Sequence, residues 1–510
     1  MSTGQRRRPA WETASLDERR EPSHLTVVTL AIDDPTGDEK LLSGRVARGT
    51  VSLGLRALAG YVVSAVTMLV LTHRLTAAQF GVYSVLVAGS LIAYQMITSG
   101  FATAFSRSDS DVDSEVIDAA FWAFELVYGV IAVVLIAVSF LLSGPAPHII
   151  LRAMAAFLLI APLRFPMVVR CWRRLEMGRL ALIDLAEFSV LQLGSLALVL
   201  AGVGAASFGY AIIAAVTTSS LISMAMMRWY PGRPSLSPLS SWLPEIRPLF
   251  LSGALGLLRD NGGAPLLSVV FGTAVAGYYG WALGVSVAVL ALVSVSSHSL
   301  QLGFMRVNDP ERTGDALRRA LRILLLLVGA VVAVVGGAGR QITVVIFTSR
   351  WLPALLGMRF LLAAVGLLTI LNIFISLAVA DKRVATANRL LLLVCALTVG
   401  LGLPAAHYWG MQGYTAALLF STVLGLALAW RLTGRIYAIG RAEAVFAGAV
   451  ALSATAGVVT GALVFASADG WARLCEACAL CGAVFVIVML VAEVRATFGA
   501  VRDVIGLLRA

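Results

Sequence analysis

The chain has 510 residues, of which 59% are hydrophobic and only 13% are charged, and its mean hydropathy is +0.89. Soluble globular proteins carry about 25% charged residues, so this composition excludes a soluble domain and predicts a protein embedded in a bilayer. The formal net charge of +11 would also suit a nucleic-acid-binding protein. The cations lie between apolar runs, where they orient a membrane protein, so no nucleic-acid partner is expected.

The first part of the chain is polar. It includes three consecutive arginines, Arg6 to Arg8, and its only apolar segment, Leu25 to Ile32, is too short for a signal peptide. We predict that residues 1–44 form a disordered cytoplasmic N-terminal arm. Its arginines are expected either to be solvated or to contact anionic lipid headgroups.

Apolar runs of roughly 20 residues, the length that an α-helix needs to cross a bilayer, fill the chain after this arm. Short polar or Gly/Pro-bearing connections separate the runs. The fourteen predicted spans lie near 47–73, 81–105, 119–143, 147–169, 180–202, 205–228, 247–271, 276–303, 317–339, 353–379, 388–404, 411–431, 444–467 and 471–494. The pattern predicts an all-α polytopic membrane protein.

Lys and Arg are distributed unevenly over the connections. The connections near 144–146, 203–204 and 272–275 contain neither residue. Cations follow every second span, at Arg170, Arg173, Arg174, Arg179, Arg228, Arg233, Arg306, Arg312, Arg318, Arg319, Lys382, Arg383, Arg431, Arg435 and Arg441. The positive-inside rule therefore predicts that these connections and both termini are cytoplasmic, in a multi-pass protein of the bacterial cell membrane.

The chain also resembles itself. Short motifs recur 196 or 204 positions later, in the same order and at equivalent spans. The matched segments are 78–83 with 274–279, Arg179 and Asp184 with Arg383 and Asn388, and Gly209-Tyr210 with Gly413-Tyr414. Because this spacing covers an even number of helices, both halves have the same orientation and are related by a pseudo-two-fold axis along the membrane normal.

This repeat predicts the domain organisation. We expect two six-helix bundles joined by a cytoplasmic linker and followed by two additional transmembrane helices and a cytoplasmic tail. The predicted boundaries are 45–230 for the first bundle, 231–246 for the linker, 247–437 for the second bundle, 438–495 for the additional helices and 496–510 for the tail.

Arg259, Asp260 and Asn261 lie near the middle of the seventh predicted span. A charge at this depth costs on the order of 2.5–3.5 kcal/mol on insertion scales, so it requires a partner or a wet cavity. Adjacent residues point about 100° apart on a helix, so Arg259 and Asp260 are not expected to share a partner. We predict that the triplet lines a substrate cavity. The alternative is a local charge pair that only holds helices together.

Other polar side chains within the spans are also candidates. Arg56 and Asn372 are predicted to bind substrate. The proton-coupling candidates are Glu125, Asp184, Glu187 and His298. For the two carboxylates of the fifth span, pairing with loop arginines is an equally open alternative. Pro162 and Pro166 flank Arg164 in the fourth span and predict a kink, which suits either a moving gate or a packing bend.

Three cysteines form the motif Cys475-x-x-Cys478-x-x-Cys481 in the last predicted span. Their spacing places them on one helical face, but no fourth ligand is near, so we predict small-residue packing and expect no metal or other cofactor. The sequence contains no P-loop, no G-x-S-x-G and no H-E-x-x-H motif. Together with the short connections, this favours a transporter over an enzyme or an ATP-driven pump.

Several of these segments resemble the polysaccharide transporter family of the multidrug/oligosaccharidyl-lipid/polysaccharide exporter superfamily, the Wzx-type flippases. His73 to Tyr83 is similar to the family's R-L-L-G-P-x-x-F-G-x-Y connection between the first two helices. Arg173 to Asp184 resembles its basic loop before the fifth helix. Asp260-Asn261 with Phe271 to Tyr279 resembles its seventh-helix pattern, and Phe347 to Trp351 its L-F-G-x-x-W motif.

This resemblance, which covers about 45–435, implies two six-helix bundles around a central, often cationic cavity that opens alternately to each side. It also implies that the substrate is a polyprenyl-diphosphate-linked oligosaccharide, which moves from the cytoplasmic to the outer leaflet. Arg259 and Arg56 would then be diphosphate partners, since a guanidinium group binds phosphate oxygens in bidentate fashion. Membrane lipids, a glycan polymerase and glycosyltransferases are the other expected partners.

Two other functions remain open at this point. A multidrug exporter of the same fold would use acidic residues such as Glu125 to bind cationic compounds. A membrane glycan polymerase or ligase is the second alternative, although such enzymes usually carry a large external loop and every predicted external connection here is short.

Overall fold

A computed structural model describes residues 60, 62–99, 101, 105, 114–174, 176–291, 293, 310–380, 383–434, 440–465 and 470–509. Within these ranges the backbone forms helices joined by short connections, and no strand is present. Eleven of the described helices are long and apolar enough to cross a membrane. The all-α membrane fold class is therefore confirmed. The predicted N-terminal arm and the candidates Arg56 and His298 lie outside the described residues.

The first bundle contains six helices in the described part of the chain. They are α1 (Val62–Arg74), α2 (Ala77–Ser99), α3 (Ser114–Leu141), α4 (Pro145–Ile160, continued by Ala161–Arg164 and Phe165–Arg174), α5 (Met177–Leu200) and α6 (Ala206–Met227). The predicted interruption of the fourth helix is present as a 3₁₀ turn, Ala161–Arg164, between two α-helical segments. It begins beside Pro162, whose ring prevents a regular α-helical hydrogen bond.

The second bundle and the additional helices complete the fold. They are α7 (Leu243–Asn261 and Gly263–Phe271), α8 (Thr273–Val289), α9 (Pro310–Gly337), α10 (Leu355–Ala380), α11 (Val384–Trp409), α12 (Met411–Gly434), α13 (Arg441–Val464) and α14 (Trp471–Arg509). Helices α1, α7 and α8 are the predicted spans that are not among the eleven long helices. Helix α14 continues through the predicted C-terminal tail as far as Arg509.

The two ends of the bundles differ in their connections. One end, called the basic end, carries Arg173, Arg228 and Arg383. At the other end, called the opposite end, five of the described connections contain glycines with positive φ angles, at Gly144, Gly202, Gly204, Gly272, Gly410 and Gly470. Only glycine adopts such angles without strain, so these connections reverse the chain within a few residues.

A reciprocal glycine contact joins the two bundles near the opposite end. A Cβ atom added to Gly81 of α2 would lie 1.8 Å from the Thr273 carbonyl oxygen, and one added to Gly277 of α8 would lie 1.8 Å from the Ala77 carbonyl oxygen. Gly277 lies 196 positions after Gly81, and Thr273 lies 196 positions after Ala77. The predicted pseudo-two-fold axis therefore exchanges these two glycine–carbonyl contacts, as in an isologous interface.

An aromatic contact joins equivalent pairs of helices in the two bundles. In the first bundle, the ring centroids of Tyr83 on α2 and Phe208 on α6 lie 4.9 Å apart. In the second bundle, those of Tyr279 on α8 and Tyr414 on α12 lie 5.7 Å apart. The repeat that was predicted from short motifs thus corresponds to equivalent packing of equivalent helices.

The two additional helices pack on α9 through small residues. A Cβ atom on Gly461 of α13 would lie 2.5 Å from the Gly337 carbonyl oxygen, and one on Gly337 would lie 2.5 Å from the Cys481 Sγ atom of α14. Cys481 is buried and Cys475 is exposed. The predicted small-residue packing is confirmed at Cys481, because only short side chains allow helices to approach this closely in a membrane.

The linker between the bundles is fastened to α3 at the basic end. The Trp229 indole N–H donates to Asp118 Oδ1 at 2.9 Å, and the Trp122 indole N–H donates to the Gly232 carbonyl oxygen at 2.9 Å. Helix α7 begins at Leu243, four residues before the predicted start of the second bundle at residue 247. The linker therefore leads into α7 from a fixed position on the first bundle.

Candidate functional sites

The intramembrane triplet of α7 lies where this helix is interrupted. Arg259, Asp260 and Asn261 are the last three residues of its first segment, and the second segment begins at Gly263. The interruption lets α7 pass close to α8, since a Cβ atom on Gly263 would lie 2.4 Å from the Tyr279 hydroxyl oxygen. The charged residues are thus placed at a bend rather than in a continuous helix.

Arg259 forms a buried hydrogen-bonded cluster with two of the predicted site residues. Its Nε and Nη2 atoms donate to Asp260 Oδ1 at 2.7 Å and Oδ2 at 3.0 Å, and Nη2 also donates to Asn372 Oδ1 of α10 at 2.7 Å. Bidentate contacts between guanidinium and carboxylate are among the stronger hydrogen bonds in proteins. Arg259 and Asp260 thus form the local charge pair that the sequence analysis kept as its alternative, because the long arginine side chain folds back onto its neighbour.

Accessibility differs sharply within this cluster. The Arg259 side chain is 1% exposed, whereas that of Asp260 is 41% exposed. Arg259 Nη1 is buried and has no hydrogen-bond partner among the described residues. In this conformation the carboxylate, and not the guanidinium, is open to solvent or ligand, so binding of substrate by Arg259 stays a prediction. Asn261 is half-buried at the bend.

A second charged cluster lies in the first bundle, around Arg164 in the 3₁₀ turn of α4. Its Nη1 and Nη2 atoms donate to Glu187 and Asp184 of α5, and its guanidinium carbon lies 4.5 Å from the centroid of the Tyr94 ring. Residues three apart share a helical face, which is why both carboxylates reach one guanidinium. Only 4% of the arginine side chain is exposed.

This cluster contains a partner that the sequence analysis did not name. Asp184 and Glu187 were named as coupling candidates, with pairing to loop arginines as the alternative. Both bond Arg164, inside the membrane-spanning region, and their coupling role stays a prediction. The sequence analysis noted Arg164 only for its flanking prolines. An arginine within one span and two carboxylates at i and i+3 in the next would have been a sufficient signal.

Glu125 of α3 forms no ion pair with the described residues. Its residue is partly buried, and its Oε2 atom is buried without a hydrogen-bond partner in the part of the chain that the structure describes. Burying a carboxyl oxygen without a hydrogen bond costs free energy, and binding a ligand or a proton would remove this cost. Its role stays a prediction.

The opposite end is closed by contacts between α1 and the segment Ser349–Ala354, which precedes α10. The fully buried Trp351 donates its indole N–H to the Thr72 carbonyl oxygen at 3.1 Å, and Arg350 Nη1 donates to the Leu75 carbonyl oxygen at 3.0 Å. These are carbonyl groups at the end of α1, which lack partners within their own helix. The bonds link the first bundle to the second.

Aromatic packing completes this closed end. The Trp351 ring stacks on that of Trp281 of α8, with 5.6 Å between centroids and an interplanar angle of 17°, and meets Phe80 of α2 edge-on at 5.4 Å. With the contact of Gly81 and Gly277, these residues form one continuous hydrophobic core across both bundles. We call this region the seal. Most of its residues lie within motifs that the sequence analysis quoted, whereas Thr72 and Trp281 do not.

Comparison with known proteins gives a family match. The sequence profile of the polysaccharide biosynthesis protein family matches residues 70–356, which is more than half of the chain. The matched region includes α2 to α9 and both arginine clusters except for Asn372. No curated protein matches the chain.

Two solved structures show a similar fold. A structure described as lipid II flippase MurJ in an inward closed conformation aligns with a TM-score of 0.69 and 10% identity, over 86% of this chain and 98% of that chain. An inward-facing multidrug resistance MATE family transporter of the MOP superfamily aligns with a TM-score of 0.54 and 15% identity, over 76% and 95% of the two chains. At these identities the likeness establishes the fold. The chain therefore belongs to the polysaccharide biosynthesis protein family and has the fold of MurJ and MATE transporters.

Proposed function

We propose that this protein flips a polyprenyl-diphosphate-linked oligosaccharide across the bacterial cytoplasmic membrane by alternating access. The family match over residues 70–356 carries this proposal, and the MurJ-like fold supports it. The sugar and diphosphate headgroup requires a path lined by hydrogen-bond donors, whereas the lipid tail can remain in an apolar phase. The expected partners are this lipid-linked substrate and the enzymes that assemble and polymerise it.

In this proposal the α7 cluster binds the diphosphate. Arg259 is covered in the present conformation, but its Nη1 atom has no hydrogen-bond partner in the described part of the chain, and Asp260, with which it pairs, is 41% exposed. A rearrangement of α7 against α10 that breaks the bond to Asn372 would turn the guanidinium towards the substrate. The fork of the guanidinium would then exchange one carboxylate for phosphate oxygens, with similar bidentate geometry.

The Arg164 cluster supplies the coupling step. In it one guanidinium bonds two carboxylates in a largely buried site. Uptake of a proton by either carboxylate would weaken its bond to the guanidinium, and release of the proton would restore that bond. We propose that this uptake and release is linked to the movement of the two bundles.

The topology follows from the arginine distribution. We propose that the basic end and both termini are cytoplasmic, so that the seal closes the outer face of the protein in this conformation. A single cysteine replacing Asp315, in a variant without the five native cysteines, tests this assignment. An impermeant maleimide should label it only in inverted vesicles or lysed cells. Labelling in intact cells would show that the orientation is reversed.

A flipping assay tests the function itself. The purified protein is reconstituted in vesicles with a fluorescent lipid-linked oligosaccharide, and a membrane-impermeant quencher reports the fraction that changes leaflet. We expect faster exchange than in protein-free vesicles and than in vesicles with an unrelated polytopic protein. Exchange at the rate of these controls, with correctly folded protein, would contradict the proposal.

The multidrug exporter is the second candidate, and Glu125 is the observation that favours it. Its buried Oε2 atom, which has no partner among the residues that the structure describes, suits a cationic drug as well as a proton. If drug export is the function, deletion of the gene should increase sensitivity to lipophilic cations without accumulation of lipid-linked oligosaccharide. The flippase proposal predicts the reverse pattern.

A further inference from the structure

A large apolar groove lies outside both arginine clusters. It runs between α2, α3, α4 and the second segment of α7 and has a volume of about 940 Å³. None of the described residues that line it is charged. The Tyr128 hydroxyl, one of its few polar groups, donates to the Ala93 carbonyl oxygen at 2.5 Å and is therefore satisfied. The groove offers a hydrocarbon surface for an apolar ligand.

The length of the groove along α3 is close to the thickness of the hydrocarbon core of a membrane. Along α3 and the residues that follow it, the lining extends from Ala123 to Leu142. At a rise of 1.5 Å per residue this corresponds to about 28 Å, close to the roughly 30 Å of the bilayer hydrocarbon core. The acyl chains of an ordinary phospholipid occupy one leaflet, or about half of this depth. A groove that only held such a lipid would not need to cross both leaflets.

The groove is also open towards the bilayer. On one side Val127 of α3 is 53% exposed, and on the other Val269 of α7 is 86% exposed. A hydrocarbon chain could therefore enter sideways from the lipid and leave again without passing through the protein interior. Since α3 belongs to the first bundle and α7 to the second, the chain would lie at the junction of the two bundles.

A cation lies next to the groove at the basic end. Phe250 of α7 lines the groove, and the exposed Arg247 lies three residues before it. Arg247 is exposed and lies about one turn of α7 from Phe250, on the side of the basic end. This arrangement, a long hydrocarbon surface with a guanidinium at one end, is complementary to a long-chain lipid with a phosphate headgroup.

We propose that this groove binds the polyprenyl tail of the substrate while the headgroup crosses the protein, with Arg247 near the diphosphate before transport. The inference rests on the proposed flippase function and adds a binding site for the tail. A tail that must start in one leaflet and finish in the other needs an apolar surface in both. The depth of the groove meets this requirement.

Photocrosslinking tests the occupant. A photoreactive amino acid replaces Ile131, which lines the groove, or Val134 on the same helix, which does not. The full chain is placed in phosphatidylglycerol nanodiscs that contain a long-chain polyprenyl diphosphate. We expect crosslinks to the polyprenyl lipid at position 131, competed by unlabelled polyprenyl diphosphate, and only background at position 134. Equal yields at both positions, or crosslinks at 131 to phosphatidylglycerol alone, would overturn the proposal.

A matched pair of substitutions tests the role in transport. Val127→Trp fills the groove, whereas Val130→Trp adds the same ring one turn along α3, outside the groove, at a site that is 59% exposed. We expect Val127→Trp to slow flipping about tenfold, the effect of excluding one branched hydrocarbon unit, and Val130→Trp to flip normally. Equal effects of the two substitutions would contradict the inference.

The two experiments separate this inference from the proposed function. If the unmodified protein flips the lipid-linked oligosaccharide but Val127→Trp does so at the normal rate, the groove proposal fails and the flippase proposal stands. If the unmodified protein flips nothing, the proposed function fails whatever the groove binds. Arg247→Gln provides a further check, since it should weaken polyprenyl diphosphate crosslinking at 131 but leave crosslinking by a neutral polyprenol unchanged.

Discussion

Arg164 in the first bundle and Arg259 in the second are both almost entirely buried, with side-chain exposures of 4% and 1%. Their partners differ. Arg164 bonds two carboxylates on α5, whereas Arg259 bonds one carboxylate on its own helix and an amide on α10. The bundles are thus related in fold, but the repeat does not extend to these charges.

This difference suggests different tasks for the two bundles. The carboxylates around Arg164 are 11% and 21% exposed, so their charge depends on the guanidinium between them. Asp260 is 41% exposed and can be hydrated without Arg259. We therefore expect the first cluster to be essential for stability and sensitive to protons, and the second to be dispensable for stability and free to exchange its partner.

Replacement of Arg164 should have the largest effect. Arg164→Met leaves two largely buried carboxylates without their cation and should lower the free energy of unfolding by about 3–5 kcal/mol. Thermal unfolding in detergent and the protein level in the membrane measure this loss. The triple variant that adds Asp184→Asn and Glu187→Gln should recover most of the stability. A single variant as stable as the unmodified protein would show that the carboxylates are already neutral.

The seal, which both bundles share, comes next. Gly277→Ala places a Cβ atom 1.8 Å from the Ala77 carbonyl oxygen, so α2 and α8 must separate. Overpacking of this kind costs about 1–3 kcal/mol, and the closed conformation should lose population. Increased labelling of a cysteine near residue 273 from outside measures the shift. Gly129→Ala in α3, where no atom lies within 4 Å of the new Cβ, is the matched control. Equal labelling of the two variants would contradict this role of the contact.

Replacement of Arg259 should separate function from stability. Arg259→Gln removes the charge but can still bond to Asn372, so we expect a stability loss of only about 1 kcal/mol. Flipping should be abolished because the diphosphate loses its partner, and Arg259→Lys should be partly active because a point charge remains. The reconstituted flipping assay measures both variants. Normal flipping by Arg259→Gln, or its absence from the membrane, would make the residue structural.

The smallest effect on stability is expected when a substitution gives the Arg164 cluster the same residue types as the Arg259 cluster. Glu187→Gln leaves one arginine, one aspartate and one amide, as around Arg259, and should lower stability less than Arg259→Gln does, because the amide oxygen still accepts from Arg164. The dependence of flipping on a proton gradient should nevertheless be lost, because one of the two groups that bond Arg164 can no longer take up a proton. Asn372→Asp, the reciprocal change, is the control for a general effect of altered charge. Unchanged coupling in Glu187→Gln would exclude this cluster as the coupling site.

Much of the architecture could be predicted from the sequence. Hydropathy located the spans, because each backbone group within a bilayer must be bonded inside its own helix and apolar runs of sufficient length are therefore required. The repeat around Gly81 and Gly277 predicted that the two halves are equivalent, and the structure places these glycines against each other. Arg259 was identified because a charge in an apolar run is evident without any knowledge of its partners.

Which faces of the helices meet was decided only by the tertiary structure. Trp351 bonds the Thr72 carbonyl oxygen across 279 positions of sequence, and no local pattern indicates that contact. Arg164 meets Asp184 because the 3₁₀ turn of α4 orients the guanidinium towards α5. Apolar faces are equally compatible with lipid and with another helix, so hydropathy determines that a segment spans the membrane, whereas close packing of small and aromatic side chains determines its neighbours.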